Sequence, residues 1–335
     1  MEHHHTVQKK YLAQWVSNEL SQNNFWVYSI PENKIIEREP DWKGFKQKDF
    51  NVLDEEEDNF YLPEKVTALI DSLGIQAIRR INPSVQNQLQ GYDRCYLSFY
   101  IALQYIRTPR HREELDKFIE ATTLKFMRAD LNTPEKIKVS KKDLLEARPR
   151  NEAEKRSLER ALAMSDDELK KEIFEFIHGK DIRIKLTNSG HSKSMLKVNR
   201  LAKNIFDIQW VFLAPVNRTA FITSDNPCYT VPTQKTKTGV GILSENAMSF
   251  FPLRPDLCIC LVPKYKSQRE YFNKLDRKGV REINQGTLEN SYQSVIAKEK
   301  AHLEHLTRKY DHKNHRSTRD TIVRELGDYI LFSNV

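Results

Sequence analysis

The chain predicts a single α+β domain in which a mixed or antiparallel sheet is joined to a large helical layer. Three observations carry that prediction: strand-like apolar runs are concentrated between residues 208 and 262, apolar residues recur at helical spacing from 63 to 206, and Phe25–Ser29 with Lys34–Glu37 forms an early hairpin. At 335 residues the chain is long enough to bury a core without metal or disulfide support.

Composition narrows the function classes. The net charge of +8, from 54 Lys plus Arg against 46 Asp plus Glu, permits RNA or DNA as a partner without requiring either. Only 10 glycines occur, and no GxGxxG or GxxxxGK[ST] stretch is present, which excludes the familiar dinucleotide and triphosphate cradles. Four scattered cysteines without a CxxC pair, no signal peptide and no long apolar span predict a cytoplasmic protein with no membrane segment.

In chain order, Val7, Tyr11, Leu12 and Trp15 recur at helical spacing, so a helix is expected to start after His5. His5 then sits near its N-cap, where the helix dipole lowers an imidazole pKa and suits a general base; the alternative is a polar surface lead-in. The 25–37 hairpin follows, and residues 39 to 62 form a polar connection whose run Asp54–Asp58 is either a solvated loop or, less simply, a cation site.

Pro63 opens a helix with Val66, Leu69, Ile70 and Leu73 on one face up to Gly74. The next long helix, from Asp93, places Cys95, Phe99, Ala102, Leu103 and Ile106 toward the core. Tyr100, Gln104 and Arg107 share another face. Thr108-Pro109 breaks that helix and starts another, so Arg107, His111 and Arg112 bracket a corner suited to a phosphate or carboxylate, or else Arg107 caps its own helix.

Residues 132 to 190 read as a polar, helical, insertion-like region. Its clearest signal is the capping box Ser165-Asp166-Asp167-Glu168, ahead of Leu169, Ile173, Phe176 and Ile177 and a terminal Gly179. Beyond it, Lys193, Lys197 and Arg200 trace a basic face opposite Met195, Val198, Ala202 and Ile205, with no acid between Ser192 and Asn204. A solvated face usually alternates charge, so an unpaired stripe favours an anionic, nucleic-acid-binding surface.

Ile208–Leu213 and Phe221–Ser224 read as strands paired through a turn at 216–219, leaving Ser224, Asp225 and Asn226 at a strand end with Pro227 behind them. The alternative is an Asx-type turn satisfying local N–H groups. Cys228–Val231 extends the sheet, and 248–253 with 257–262 adds two strands. Cys258 and Cys260 share a face as packed thiols rather than zinc ligands. A last helix, within 280–310, leads to a basic tail whose His302, His305, His312 and His315 form HxxH pairs without the Glu of a metalloprotease.

Together, His5 with Tyr11-Leu12, Phe25-Trp26-Val27-Tyr28, Gln104-Tyr105-Ile106-Arg107-Thr108-Pro109, Phe221-Ile222-Thr223-Ser224-Asp225-Asn226-Pro227 and Phe251-Pro252-Leu253 give a resemblance. The chain resembles the bacterial domain-of-unknown-function family numbered four-two-three-eight. The resemblance implies shared architecture and a shared site, and carries no activity. Two departures are Gln8, where the family commonly has proline, and Arg254, where a serine often follows the leucine.

The residues predict a polar cleft of His5, Gln104, Arg107, Ser224, Asp225 and Asn226, with Thr108 beside Arg107. In the first reading an enzyme acts on nucleic acid or a nucleotide: His5 is the acid or base, Arg107 the phosphate clamp, and Asp225 orients His5 or holds a divalent metal. No PD…ExK, HNH or DEDD pattern marks a metal nuclease. The second reading is a non-catalytic nucleic-acid-binding protein, and the third a regulator that binds a small anionic ligand.

Overall fold

The computed structural model describes residues 3–20, 23–48, 64–82, 89, 91–149, 152–179, 184, 197–216, 219–234, 240–315, 322–326 and 329–333. They belong to two compact units, one of residues 1–114 and 186–335, the other of residues 115–185. The α+β class holds: helices and two larger sheets make up the first unit, and helices the second.

In chain order the elements are β1 (His3–His5), α1 (Lys9–Leu12), β2 (Phe25–Ser29), β3 (Lys34–Arg38), β4 (Lys46–Lys48), α2 (Glu64–Arg80), α3 (Asp93–Ile106) and α4 (Pro109–Asp130). Then come α5 (Lys141–Glu146), α6 (Glu152–Ala163), α7 (Asp166–His178), α8 (Val198–Phe206), β5 (Gln209–Pro215), β6 (Thr223–Ser224), β7 (Tyr229–Pro232), β8 (Ala247–Arg254) and β9 (Leu257–Val262). The chain closes with β10 (Glu270–Leu275), α9 (Arg277–Asn290), β11 (Ser294–Ala297), α10 (Lys300–Thr307), β12 (Ile322–Leu326) and β13 (Tyr329–Ser333).

The first sheet is five-stranded and mixed, ordered β10-β5-β9-β8-β7, with β10 parallel to β5 and the other pairs antiparallel. The two strands expected at 248–253 and 257–262 are β8 and β9, which pair antiparallel at its centre and turn tightly at Pro255-Asp256. β9 is buried over nearly its whole length, which explains why Leu257-Cys258-Ile259-Cys260-Leu261 is continuously apolar instead of alternating. The second sheet is antiparallel, ordered β3-β2-β11-β6, and contains the 25–38 hairpin with Phe25 opposite Arg38.

Four sequence expectations are corrected here. The 208–213 and 221–224 segments do not pair: β5 lies between β9 and β10, and β6 joins β11 in the other sheet. The early hairpin therefore belongs to the second sheet and not to that of residues 208–262. The single helix expected within 280–310 is two, separated by β11, because Ser294-Val295-Ile296-Ala297 is fully buried between β2 and β6. Finally, His5 is in a strand, paired with Lys46, and Gln8 holds the N-cap position of α1.

Gln8 sits at φ −62°, a backbone angle that proline also adopts, so the departure at this position does not alter helix entry. Arg254 has a clear role of its own. It donates to the carbonyls of Ile78 and Ile81 at 2.9 and 3.0 Å, satisfying acceptors left open at the end of α2, and pairs with Asp256.

α3 is buried on nearly all sides, packed against α2 and α8. Its Arg94 is sunk in the core, where it pairs with Glu270 at 2.7 Å, donates to the carbonyls of Phe206 and Ile208, and lies over the Trp210 ring. Every strong donor direction is used, so this buried charge ties the end of α8 to β10. The main core surrounds Trp15, Trp210, Tyr11, Tyr100 and Phe251. A smaller one, behind β2 and β11, holds Tyr28, Ile222, Val295 and Leu303.

In the second unit the capping box forms as read: Ser165 Oγ accepts from the Glu168 N–H, and Glu168 returns a carboxylate to the Ser165 N–H at 2.8 Å. Arg128 donates to the carbonyls of Ile177 and Gly179 and closes the other end of α7. Phe176 departs from the expected apolar face and is 67% exposed. The Asp54–Asp58 run and Lys193 lie outside the described residues. No helix among the described residues is long and apolar enough to cross a membrane.

Candidate functional site

The site begins with a close helix contact. A β-carbon at Gly74 of α2 would fall 2.4 Å from Tyr100 of α3, so only glycine lets the two helices approach this far. Asp71 lies one helical turn before Gly74, and Gln104 and Arg107 lie one and two turns after Tyr100. The contact thus brings the Tyr100–Gln104–Arg107 face against Asp71 rather than leaving it open to solvent.

Arg107 Nη1 donates to Asp71 Oδ2 at 2.8 Å, and Gln104 Nε2 approaches the other carboxylate oxygen at 3.4 Å. Arg107 Nε, Arg107 Nη2 and Gln104 Oε1 are buried without a hydrogen-bond partner. Leaving such atoms unsatisfied costs about 1–3 kcal/mol each. Burial raises the Asp71 carboxyl above its usual range, opposed chiefly by Arg107 and also by His5 and Lys10.

His5 reaches this cluster from β1. Its Nε2 is 3.1 Å from Asp41 Oδ1, and its Nδ1 is buried and unpartnered. Asp41 is held down to about 2, first by Lys46 and then by Lys9, at 3.0 and 3.3 Å. Burial, then Lys46, lowers the His5 pKa below its ordinary 6.5; Asp41 opposes that shift, while Arg107 adds to it. The ring is therefore neutral at pH 7, with the Nε2 proton directed at the ionised Asp41 and a lone pair on Nδ1. A strand and a polar loop thus produce the depressed imidazole that the sequence assigned to a helix dipole.

Ser224, Asp225 and Asn226 are held in a different way. Asp225 accepts from the backbone N–H groups of Tyr292, Gln293 and Ser294 at 2.7, 2.7 and 2.9 Å, and its own N–H donates to the Ser294 carbonyl. Burial raises its carboxyl to about 6 against the pull of those three bonds, and the cation it senses is Arg110. Ser224 Oγ accepts from the Asn226 N–H and donates to the Asn226 carbonyl, a local turn, and Asn226 Nδ2 donates to the Asn290 carbonyl.

The carboxylate beside His5 is accordingly Asp41, and that beside Arg107 is Asp71; Asp225 takes neither place. Its oxygens already accept three N–H bonds, which does not fit a divalent metal ligand. Among the described residues no group of three or more His, Cys, Asp or Glu side chains is placed to hold a metal ion. Thr108 is an N-cap, its Oγ1 accepting from the His111 N–H at 3.3 Å. Asn226 and Asn290 line a cavity of about 50 Å³ with Arg110 and His111, with room for little more than water.

Lys197 and Arg200 are exposed at the start of α8 and form no ion pair among the described residues, while Val198, Ala202 and Ile205 are buried beneath them. Cys228 and Cys260 are pushed up to about 12 by burial and Cys258 is raised as well, so all three behave as packed apolar groups. His315 is buried, bonded to the Ser291 carbonyl and the Tyr310 hydroxyl.

Asp71 and Asp41 are the site residues that sequence reading missed. Asp71 had one usable signal, its position one turn from a helical glycine, since such a glycine marks close approach. Asp41, in the polar connection after β3, had none.

Comparison with known proteins finds no match among curated proteins and none among solved structures. A family model described as a protein of unknown function matches residues 3–301, a span that includes β1, the α2–α3 contact and the Asp225 turn. The chain belongs to the DUF4238 family.

Proposed function

We propose that the Asp41–His5 and Asp71–Arg107 pairs form the active site of an enzyme acting on a nucleotide or nucleic acid. The observation that carries this reading is the set of unpartnered polar atoms on three neighbouring side chains: Nε and Nη2 of Arg107, Oε1 of Gln104 and Nδ1 of His5. Buried polar groups are normally paired, so donors, an acceptor and a lone pair left open together are explained by a ligand that completes them.

Charge supports an anion. With His5 neutral, Arg107, Lys46 and Lys9 outnumber Asp71 and Asp41 by one. In this reading Arg107 holds phosphoryl oxygens through Nε and Nη2, Asp71 fixes its guanidinium, and Gln104 Oε1 accepts from a ligand hydroxyl or amine. His5 Nδ1 takes the proton of the attacking water or hydroxyl, and Asp41 keeps the ring in that tautomer. The exposed Lys197 and Arg200 offer a separate nucleic-acid contact.

A second reading, a regulator that binds a small anion without turnover, is favoured by the burial of the clamp: Gln104 is fully buried and Arg107 is 7% exposed. Nucleotide hydrolysis and binding, measured together, separate the two. An enzyme loses turnover by about 10²- to 10⁴-fold in His5→Ala with binding retained. A regulator shows Arg107-dependent binding and no turnover.

A further inference from the structure

Well apart in sequence from these residues, α9 and α10 enclose a cavity of about 660 Å³ together with Thr219 and Ala220. Arg277, Arg281, His302, Glu304, His305 and Arg308 give it its chemistry. Arg277 and Arg281 are one helical turn apart on α9, so their guanidinium groups rise from the same face. Of the acidic side chains nearby, Glu282 lies 4.0 Å from Lys278, Glu304 pairs with Lys300 at 3.1 Å, and Glu299 lies 3.8 Å from His302. The three arginines form no ion pair among the described residues. His302 Nδ1 is buried without a partner at the wall.

We propose that this cavity is a binding site for phosphate groups, occupied by a short segment of single-stranded nucleic acid. Three uncompensated guanidinium groups around one concavity favour a ligand with several negative charges, and Arg pairs bidentately with phosphate. The volume decides between strand and duplex: about 300–1,000 Å³ encloses a ligand of small-molecule size. A nucleotide or two enters such a space and a double helix does not. The floor is fixed independently of any ligand, since Asn284 bridges the Ile222 N–H and the Ala220 carbonyl at 3.0 and 2.9 Å. A free nucleotide presents the same phosphates, so the test separates the two sources.

The experiment is fluorescence anisotropy of the full chain with a fluorescein-labelled single strand of about a dozen nucleotides. Salt is varied between about 50 and 200 mM. Arg277→Gln/Arg281→Gln/Arg308→Gln is expected to weaken binding and flatten the logarithmic salt slope by about 2, from three lost single-strand phosphate contacts. Glu304→Gln, which removes a carboxylate from the wall, is expected to tighten it, an outcome misfolding cannot imitate. Arg107→Gln lowers the slope by no more than about 0.7, the share of its own single phosphate contact, against about 2 for the triple variant, so failure of the proposed active site and failure of this groove are distinguishable.

If ATP binds instead, with the same dependence on the three arginines, the phosphate site stands and its source is the free nucleotide. Equal binding by the triple variant, preference for a blunt duplex, or no binding of either probe to the wild-type chain overturns the proposal.

Discussion

Asp225, buried, and Asp71, partly buried, are two carboxylates in one unit of the molecule, and they differ in what surrounds them. Asp225 accepts three backbone N–H bonds and sits in a turn whose Ser224 and Asn226 groups are bonded locally. Asp71 has Arg107 and Gln104, and both partners keep open polar atoms that point to no protein group. A satisfied buried carboxylate holds a fold together; one whose partners remain unsatisfied prepares a place for something else. The polar run at 223–226 drew attention in the sequence, but its chemistry is spent on the chain itself.

The sharpest way to break this contrast is at Asp225. Asp225→Ala leaves the N–H groups of Tyr292, Gln293 and Ser294 without their acceptor, and is expected to cost about 3–5 kcal/mol in chemical denaturation. Ligand binding per folded molecule is expected to be unchanged. A folded, stable Asp225→Ala protein that had lost binding would move the site to the 223–226 turn.

Next in size is Arg107→Gln, with an expected cost of about 2–3 kcal/mol. That is below the usual penalty for breaking a buried pair because Asp71, already raised by burial, takes up a proton. Adding Asp71→Asn should restore most of the stability and none of the binding. A double variant that regained binding would show Arg107 to be a structural residue.

Gly74→Ala tests the helix contact that assembles the cluster. The added methyl meets Tyr100, and α2 must move, for about 1–3 kcal/mol of stability and weaker ligand affinity. Unaltered affinity would show that Asp71 and Arg107 do not depend on close packing of α2 on α3.

The pH profile sharpens the role of His5. Its folded pKa lies below 6.5, so turnover should be level near neutrality and fall in acid as Nδ1 gains a proton, with an inflection below 6.5. The same shift means that stability contributed by the neutral ring is present above 6.5 and lost as pH falls through the folded value. His5→Asn should have no such limb. The smallest effect is expected from Lys197→Gln/Arg200→Gln, whose exposed side chains should change stability by less than about 0.5 kcal/mol while lowering the salt dependence of any nucleic-acid binding.

Local rules made much of the fold readable. Strand-like apolar runs gave the 25–37 hairpin and the strands at 248–253 and 257–262, Ser165 and Glu168 gave a capping box, and Thr108-Pro109 gave the boundary between α3 and α4. β11 was hidden because the four residues Ser294-Val295-Ile296-Ala297 between two helices are too few to carry a period of their own; burial between β2 and β6 makes them a strand. β6 likewise has only two residues, and its partner is about seventy positions away.

The site was half readable for the same reason. Gln104 and Arg107 share a helix face by spacing alone, and His5 was singled out as a base. What joins them is Asp71 on another helix and Asp41 in a loop, and pairing across such distances in sequence is set by tertiary packing. The Asp225 turn shows the converse error: the Asx-turn alternative accounts for the Ser224–Asn226 bonds, while the Asp225 carboxylate is taken by the N–H groups of Tyr292, Gln293 and Ser294, far along the chain, which neither reading gave.

The most direct measurement is calorimetric titration of a nucleotide into the wild-type chain and into the Arg107→Gln/Asp71→Asn variant, chosen because its fold is expected to be kept. The account predicts a saturable binding step with the first that is missing from the second, together with a ligand-induced rise in melting stability that is larger in the wild type by about 2.7 kcal/mol at a hundredfold excess over Kd. Equal heats and equal stabilisation in both proteins would contradict it, since the open donors of Arg107 would then have no part in holding the ligand.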